Sequence, residues 1–249
     1  MDVDLSPGYR ELTPPPVLRG VLECVWVRVT APGGPSTSVL PDACSDLIWQ
    51  SGRGAFVAGP DTEPIPFTAT PGEVLIGARF VPGAGGPALG VPLGAVRNQR
   101  VDAADVRPDI DRRLPGTLTP QEALRRLART AGRLAASDPP DRSVRAAARM
   151  LADPRVRVET LADRVGLSER QLRRRFHDGV GYGPKTLQRV LRFRRFLAHL
   201  DAGGPPAGLA DLAQIAGYAD QSHLTRECAH LAGTTPAALA RGRYTTTVA

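Results

Sequence analysis

The sequence has few of the residues on which metal sites, disulfide frameworks and nucleophilic catalysis depend. Its 249 residues include three cysteines, Cys24, Cys44 and Cys228, which are too scattered for a disulfide framework and form no C-x-x-C pair for structural zinc. All four histidines lie after residue 143, so the first half lacks the His that a His-ligated metal or a catalytic triad needs. We therefore expect no enzyme activity, no cofactor and no bound metal.

Cys44 is the one residue of the first half that invites a question about reactivity. It stands between Asp42 and Asp46. Because nearby carboxylates disfavour a thiolate, the thiol is a poor nucleophile and a structural role is favoured. An enzyme or a reactive-cysteine sensor fused to a second domain is the remote alternative.

Long hydrophobic runs and export signals are also lacking. The apolar runs are far shorter than a bilayer-spanning helix requires, and Met1 to Asp4 lacks the basic start of a secretory signal. The 42% hydrophobic and 23% charged residues are typical of a globular protein. We expect a soluble, cytoplasmic protein with no membrane partner.

Lysine is nearly absent, and the positive charge carried by arginine is unevenly distributed. Residues 144–249 contain 16 arginines and Lys185 against 9 acidic residues, whereas residues 1–143 contain 15 arginines against 16 acidic residues. The net charge of +7 therefore comes from the C-terminal part. Such asymmetry indicates a polyanionic partner, because neutralised phosphates release condensed counterions.

Residues 17–101 have the pattern of short strands separated by Gly/Pro turns. Short apolar runs between such turns are typical of an all-β domain, and they predict a barrel-like or sandwich-like fold. The predicted strands are Val17 to Val29, Asp46 to Gln50, Ala55 to Ala58 and Val74 to Val81.

A helix is predicted from Thr119 onward. Thr119 and Glu122 form a capping box, and Pro120 suits the first helical position. An apolar stripe follows at helical spacing, and it packs either on its own β domain or on a second copy of the chain. The stripe consists of Leu124, Leu127, Ala128, Ala131 and Leu134.

These patterns predict an α+β chain of two domains. Residues 1–136 form a β-rich domain with a helical C-terminal part, and residues 137–143, which are rich in Pro and Asp, form a linker. Residues 144–249 form an all-α domain in which two helix-turn-helix units are joined by a linker helix.

The first unit consists of a short helix, a three-residue turn and a second helix. Gly166 supplies the left-handed conformation that ends the first helix, and Ser168 caps the second together with Gln171. Leu172 and Phe176 face inward. Arginine on the outward face matches guanine O6 and N7, each good pair being worth roughly 1–3 kcal/mol of discrimination. The outward residues are Arg170, Arg173, Arg174 and His177.

A second copy of this pattern follows about 51 residues later, where Leu212-Ala213-x-x-x-Gly217 repeats Leu161-Ala162-x-x-x-Gly166. Asp220 can cap its second helix, in which Leu224 and Cys228 face inward. One long helix from Pro184 to Leu200 spans about 25 Å and can hold two recognition helices about one duplex turn apart. The exposed positions of the second unit are Gln221, Ser222, Thr225 and Arg226.

The run from Val158 to Tyr244 resembles the DNA-binding domain of the AraC family of transcription regulators. Cys228 stands where that family usually has Phe, and a Gly/Pro-rich stretch before Leu209 replaces its customary Ile. The shared motifs are Leu161-Ala162-x-x-x-Gly166-x-Ser168, the inward Phe176, Gly181-x-x-Pro184, Gly217-Tyr218-x-x-Gln221-Ser222-x-Leu224-Thr225-Arg226, Thr234-Thr235-Pro236 and Arg243-Tyr244.

The resemblance implies a sequence-specific regulator that docks both units into consecutive major grooves of double-stranded DNA. An activator of this type would also contact RNA polymerase. The residues that correspond to base- and backbone-contacting positions are Arg170, Arg173 and Arg174 in the first unit and Gln221, Ser222 and Arg226 in the second.

Residues 17–101 resemble, less specifically, a β-rich domain found in a subset of these regulators, around Leu40 to Trp49 and Phe80 to Gly83. This implies a sensing or dimerising role, so a small-molecule effector, a homodimer and another protein partner all stay open. A pocket here would be lined by aromatic side chains, with an arginine for an anionic group. The candidate lining is Trp26, Trp49, Phe56, Phe67, Arg79 and Phe80.

Overall fold

The computed structural model describes residues 4–31, 37–68, 70–202 and 208–241. Arg243 and Tyr244, which belong to the resemblance above, lie outside these ranges, as does most of the Gly/Pro-rich stretch before Leu209. Within the described residues, no helix combines the length and the apolar character needed to cross a membrane.

The N-terminal part is built on an antiparallel sheet of six strands. The two outermost strands are short and the central ones are buried, which is the usual arrangement of an open sheet. A pair of three-residue strands forms a second, smaller sheet. The large sheet has the order β1 (Gly8–Leu12), β2 (Leu22–Val29), β7 (Val74–Phe80), β4 (Ser45–Gln50), β5 (Gly54–Ala58) and β8 (Arg100–Asp102), and the small one pairs β3 (Thr37–Val39) with β6 (Ile65–Phe67).

The four predicted strands are confirmed, with one correction. The strand predicted from Val17 begins at Leu22, because Pro16–Leu18 form a 3-10 turn and the side chain of Val17 is 87% exposed. The strands β1, β3, β6 and β8 were not predicted. They are short or mainly polar, so their alternation is too brief to detect.

The two faces of the large sheet bury different cores. Along β7, Ile76 and Phe80 pack under the helical layer, whereas Leu75 packs toward the small sheet. This alternation follows from the two-residue period of a strand. Gly77 lies on the face toward the small sheet, where an added Cβ would come within 2.1 Å of the Trp26 ring. The indole of Trp26 therefore occupies the space that a side chain at position 77 would need.

The helical layer of the N-terminal part ends in α4 (Pro120–Ser137), which follows α1 (Gly85–Leu89), α2 (Ala103–Val106) and α3 (Pro108–Arg113). The predicted capping box is confirmed: the side chain of Thr119 accepts a bond from the Glu122 amide, and the Glu122 carboxylate accepts one from the Thr119 amide. The stripe of α4, including Leu124 and Leu127, is buried against its own sheet. Of the two predicted partners for this stripe, the structure shows the chain's own β domain.

The C-terminal part is helical, and the predicted long helix is confirmed as α8. The predicted linker, 137–143, overlaps the last residue of α4 and the first residues of α5. The helices are α5 (Arg142–Met150), α6 (Leu161–Arg164), α7 (Glu169–Val180), α8 (Pro184–Asp201), α9 (Leu209–Ala216), α10 (Gln221–Ala232) and α11 (Pro236–Arg241).

The two parts of the chain share an interface. Leu40 and Ala43 of the N-terminal part join the buried core of the helical part. Arg145 of α5 donates to the carbonyl oxygens of Pro82 at 3.2 Å and Gly20 at 2.6 Å. Side-chain contacts therefore fix where the helical part sits on the end of the sheet.

Candidate nucleic-acid interface

The first predicted unit has the expected geometry. Gly166 has φ of 67°, which turns the chain sharply after α6. The side chain of Ser168 accepts from the Gln171 amide at 3.3 Å, and Gln171 returns a bond by accepting from the Ser168 amide at 2.9 Å. Leu172 and Phe176 are buried, so α7 presents its other face to solvent.

Three arginines occupy that outward face. Arg170, Arg173 and Arg174 are exposed, and among the described residues their side chains enter no hydrogen bond or ion pair. The neighbouring Arg175 is different, because it donates to Asp141 at 3.0 Å and ties α7 to the start of α5. The first three guanidinium groups are therefore free to meet an external anion or a base edge.

His177, at the end of the predicted outward face, lies next to the N-terminal part. A Cβ added to Gly94 would come within 2.1 Å of the His177 ring. Gly86 lies equally close to the last turn of α7, where an added Cβ would be 2.6 Å from the carbonyl oxygen of Asp178. The C-terminal end of α7 thus packs against the segment 85–95, and its N-terminal turns carry the free arginines.

The second unit repeats the arrangement. Asp220 caps α10 by accepting from the His223 amide at 2.7 Å, and Leu224 and Cys228 are fully buried, as predicted. Gln221, Ser222 and Arg226 are exposed. Thr225 is half-buried, and its hydroxyl donates to the Gln221 carbonyl oxygen at 2.9 Å, so part of its hydrogen-bonding capacity is used within the helix.

The linker helix α8 fixes the second unit through two arginines that sequence reasoning did not single out. Arg189 forms a two-bond ion pair with Glu227 of α10, with distances of 2.9 and 3.0 Å. Arg195 donates to the carbonyl oxygen of Ala216, the last residue of α9, at 2.9 Å. Neither partner is near in sequence, so no local pattern could have identified these contacts.

The structure does not bring the six candidate pocket residues together. Trp26, Phe56, Phe67 and Arg79 lie on the face toward the small sheet, whereas Trp49 and Phe80 lie on the opposite face under α4. Both indoles have internal partners: Trp26 donates to Asp46 at 2.7 Å, and Trp49 donates to the Pro115 carbonyl oxygen at 2.9 Å.

A cavity of about 240 Å³ lies between the small sheet and the large one. Phe56 and Phe67 line it, together with polar groups that include Gln50 and Glu73, which are bonded to each other at 2.6 Å. Its volume is below the ~300 Å³ at which ligand pockets usually begin. Two of the six predicted lining residues therefore meet at this cavity.

Arg79 belongs to a buried charge cluster and does not face that cavity. Its Nε lies 3.4 Å from both Asp42 and Asp46, and its Nη1 lies 3.2 Å from Glu11. Burial raises the pKa of Asp46 to about 7, although Arg79 and the indole of Trp26 oppose that rise. The positive charge of Arg79 is therefore already balanced within the protein.

Cys44 lies beside the second contact between the two parts of the chain. Arg194 of α8 forms an ion pair with Glu23 and donates to the Asp42 carbonyl oxygen at 3.0 Å. The Cys44 thiol donates to Glu23 at 3.1 Å. Burial, followed by the negative charges of Asp42 and Glu23, holds the pKa of the Cys44 thiol well above its usual value. The thiolate is thereby disfavoured, in line with a structural role.

Comparison with protein families gives one match in each part of the chain. Residues 10–102 match a family described as "Domain of unknown function (DUF6597)". Residues 161–242 match a family described as "Helix-turn-helix domain". No curated protein matches the chain.

Similar solved structures include one of xylR and two of ToxT. The xylose-binding transcription activator xylR is 17% identical with a TM-score of 0.36, over 49% of this chain and 38% of its own, so this chain spans well under half of that protein. ToxT from Vibrio cholerae O395 is 8% identical with a TM-score of 0.45, over 85% of this chain and 94% of its own. Unsaturated fatty acid-bound ToxT from Vibrio cholerae strain SCE256 is 9% identical with a TM-score of 0.43, over 92% of this chain and 96% of its own.

Proposed function

We propose that this chain is a transcription regulator of the AraC type that reads two consecutive major-groove segments of double-stranded DNA, and the match of residues 161–242 to a helix-turn-helix domain supports this. In this proposal α7 enters the first segment and α10 the second. The observation that carries it is the row of three exposed, unpaired arginines on α7, a helix whose start is fixed by a capping box.

Each exposed side chain has a role that its chemistry permits. Arg170, Arg173 and Arg174 can bond guanine O6 and N7 or a phosphate, and Gln221 can bond adenine N6 and N7. Ser222, Thr225 and Arg226 can reach phosphates or base edges. The protein then acts by positioning itself on DNA, without catalysis.

We also propose that the N-terminal domain controls this reading in response to a small molecule or a partner protein. The contacts of Arg145 and Arg194 support this proposal. Because these side chains bind backbone carbonyl groups of the N-terminal domain, a conformational change there would move α5 and α8. A domain that only dimerises or binds another protein is the alternative. RNA polymerase is the further partner if the regulator activates.

Heat stability separates these two roles of the N-terminal domain. A ligand that binds only the folded state raises the melting temperature in a saturable way. We expect one class of small molecules in a broad set to do so with the full-length protein. Absence of stabilisation across the set, together with a concentration-dependent molecular mass, would favour dimerisation.

The DNA-reading proposal is tested by selecting bound fragments from random DNA with the purified full-length protein. We expect enrichment of two short sequence blocks about ten base pairs apart, bound far more tightly than a scrambled duplex. Binding that is independent of sequence and falls steeply with salt would contradict the reading role and leave only a basic domain.

A further inference from the structure

Five arginines line one groove on the N-terminal domain, and none of them belongs to a helix-turn-helix unit. Arg112 and Arg113 come from α3, and Arg126, Arg129 and Arg133 come from α4. All five are exposed, and the groove has a volume of about 280 Å³. The only other lining residue is Thr130. The net charge of this domain is close to zero, so the groove is a local concentration of positive charge.

The guanidinium groups of this arginine groove are poorly neutralised within the protein. Among the described residues, the side chains of Arg112, Arg129 and Arg133 enter no hydrogen bond or ion pair. Arg113 meets Asp109 only at 3.9 Å, and Arg126 donates at 3.5 Å to a carbonyl oxygen, which carries no net charge. Like charges at this spacing repel one another, so an anion bound in the groove would relieve that repulsion.

The arrangement on α4 suits an extended polyanion. Arg126, Arg129 and Arg133 follow one another at i, i+3 and i+7, so they share one helix face and span about 10 Å along it. Duplex DNA offers one negative charge per ~1.7 Å of axis, so several phosphates lie within that span. A straight row of guanidinium groups can therefore contact consecutive backbone groups.

The composition of the groove favours DNA over a protein or a small molecule. Protein interfaces concentrate their binding energy in anchor residues, among them Trp, Tyr and Arg, that fill well-packed pockets, and small-ligand pockets are mostly apolar and enclose their ligand. The groove offers arginines and one threonine, with no aromatic side chain. Phosphate contacts need only this kind of surface.

A short chain of contacts joins the groove to α7. Arg113 and Arg133 also line a neighbouring depression with Arg107. The Arg107 side chain packs against Gly90, and Gly94, four residues further on, meets the His177 ring of α7. Arg107 and the segment 90–94 therefore connect the arginine groove with the C-terminal end of α7.

We propose that the arginine groove binds the phosphate backbone of DNA that flanks the segments read by α7 and α10. This inference rests on the proposed function and extends it, since the N-terminal domain then lengthens the DNA footprint and adds affinity without adding base readout. Each phosphate neutralised makes log K fall more steeply with log salt, by about 0.9.

The test compares wild-type protein with the triple variant Arg126→Gln, Arg129→Gln and Arg133→Gln, because Gln preserves helix propensity while it removes charge. The matched control is Arg19→Gln, Arg97→Gln and Arg125→Gln, which removes the same charge from exposed arginines outside the groove. Each protein is titrated at several salt concentrations on two duplexes. One contains only the selected site, and the other adds about fifteen base pairs on each side.

On the long duplex we expect the groove variant to lose at least tenfold in affinity, and its salt slope to be about 2 to 3 smaller than that of wild type, for two or three lost phosphate contacts. On the short duplex, groove variant and wild type should agree, and the control should follow wild type on both. If the variants differ in melting temperature, only the ratio of each protein's affinities for the long and the short duplex is compared. A loss of folded protein affects both affinities equally and cancels in this ratio.

Equal salt slopes for wild type and the groove variant on the long duplex would overturn this inference, whether the groove then serves an acidic protein, a small anion or nothing. An equal loss on both duplexes would also overturn it, because flanking DNA would not be what the arginines touch. Failure of wild type to prefer the selected site over scrambled DNA would instead contradict the proposed function, so the two failures are distinguishable.

Discussion

At the scale of single residues, adjacent side chains of α7 have opposite roles. Arg174 is exposed with no internal partner among the described residues, whereas Arg175 holds Asp141, the residue that caps α5. The 100° step between successive helical residues separates them, so one points to solvent and the other toward the neighbouring helix. Counting arginines alone would have treated them as equivalent.

Arg174→Ala and Arg226→Ala should each weaken binding to the selected duplex by about 1–3 kcal/mol, because each removes a charged donor from a reading helix. Thermal stability should change little, since neither side chain has an internal partner among the described residues. Arg149→Ala, an equally exposed arginine on α5, is the control and should bind like wild type. Unchanged affinity of both reading-helix variants would remove α7 and α10 from the proposed interface.

The raised pKa of Asp46 predicts how the stability of the protein depends on pH. Burial raises the pKa of Asp46 from 3.8 to about 7, so between these values the folded protein holds a proton that the unfolded chain has released. The stability that this group contributes is therefore greatest below pH 3.8 and is lost as the pH rises toward 7. Asp46→Asn keeps an acceptor for Trp26 and cannot titrate.

As the pH is raised from 5 to 8, we expect the melting temperature of wild type to fall relative to that of Asp46→Asn. Melting curves followed by circular dichroism at several pH values measure this difference. Parallel pH profiles for the two proteins would show that Asp46 is already ionised in the folded state at pH 5.

At the scale of secondary-structure elements, helix starts were the most predictable features. Thr119, Ser168 and Asp220 were each identified as caps from sequence, and each makes the expected bond to a backbone amide. These signals are local, because a cap and the backbone amide that donates to it lie within one turn. Strands β3 and β8 were missed because a three-residue strand depends on its distant partner rather than on its own pattern.

Ser168→Ala should lower the free energy of unfolding by about 0.5–2 kcal/mol, because α7 loses a bond from its cap. Ser168→Asp retains an acceptor and should stay close to wild type. Urea unfolding followed by circular dichroism tests both variants. Equal stability of Ser168→Ala and wild type would indicate that tertiary packing alone holds the start of α7.

At the scale of the whole molecule, the division into a β-rich part and a helical part followed from pattern and charge, but their contact did not. Arg194 and Glu23 are 171 positions apart, and no periodicity links residues at that distance. The candidate pocket failed to assemble for a related reason. Its six residues were chosen by type, and the faces of the sheet on which they lie depend on the register of each strand.

Arg194→Ala should destabilise the protein by about 1–3 kcal/mol, because it leaves the carboxylate of the half-buried Glu23 without its ion-pair partner. This range lies between the values for exposed and buried pairs. The control is Arg157→Ala, which breaks the exposed pair with Glu159 and should cost at most about 0.5 kcal/mol. If urea unfolding shows equal losses of unfolding free energy for the two variants, the Arg194–Glu23 pair stabilises the protein no more than an exposed pair does.

The continuity of α8 has a consequence for the DNA sites expected under the proposed function. Both reading helices pack on this one continuous helix, and Arg189 and Arg195 hold the second unit to it. Adding one residue to α8 would turn the second unit by about 100° and advance it by about 1.5 Å. The spacing between the two sequence blocks should therefore be fixed, and a promoter that gains or loses a base pair between them should drop out of the regulon.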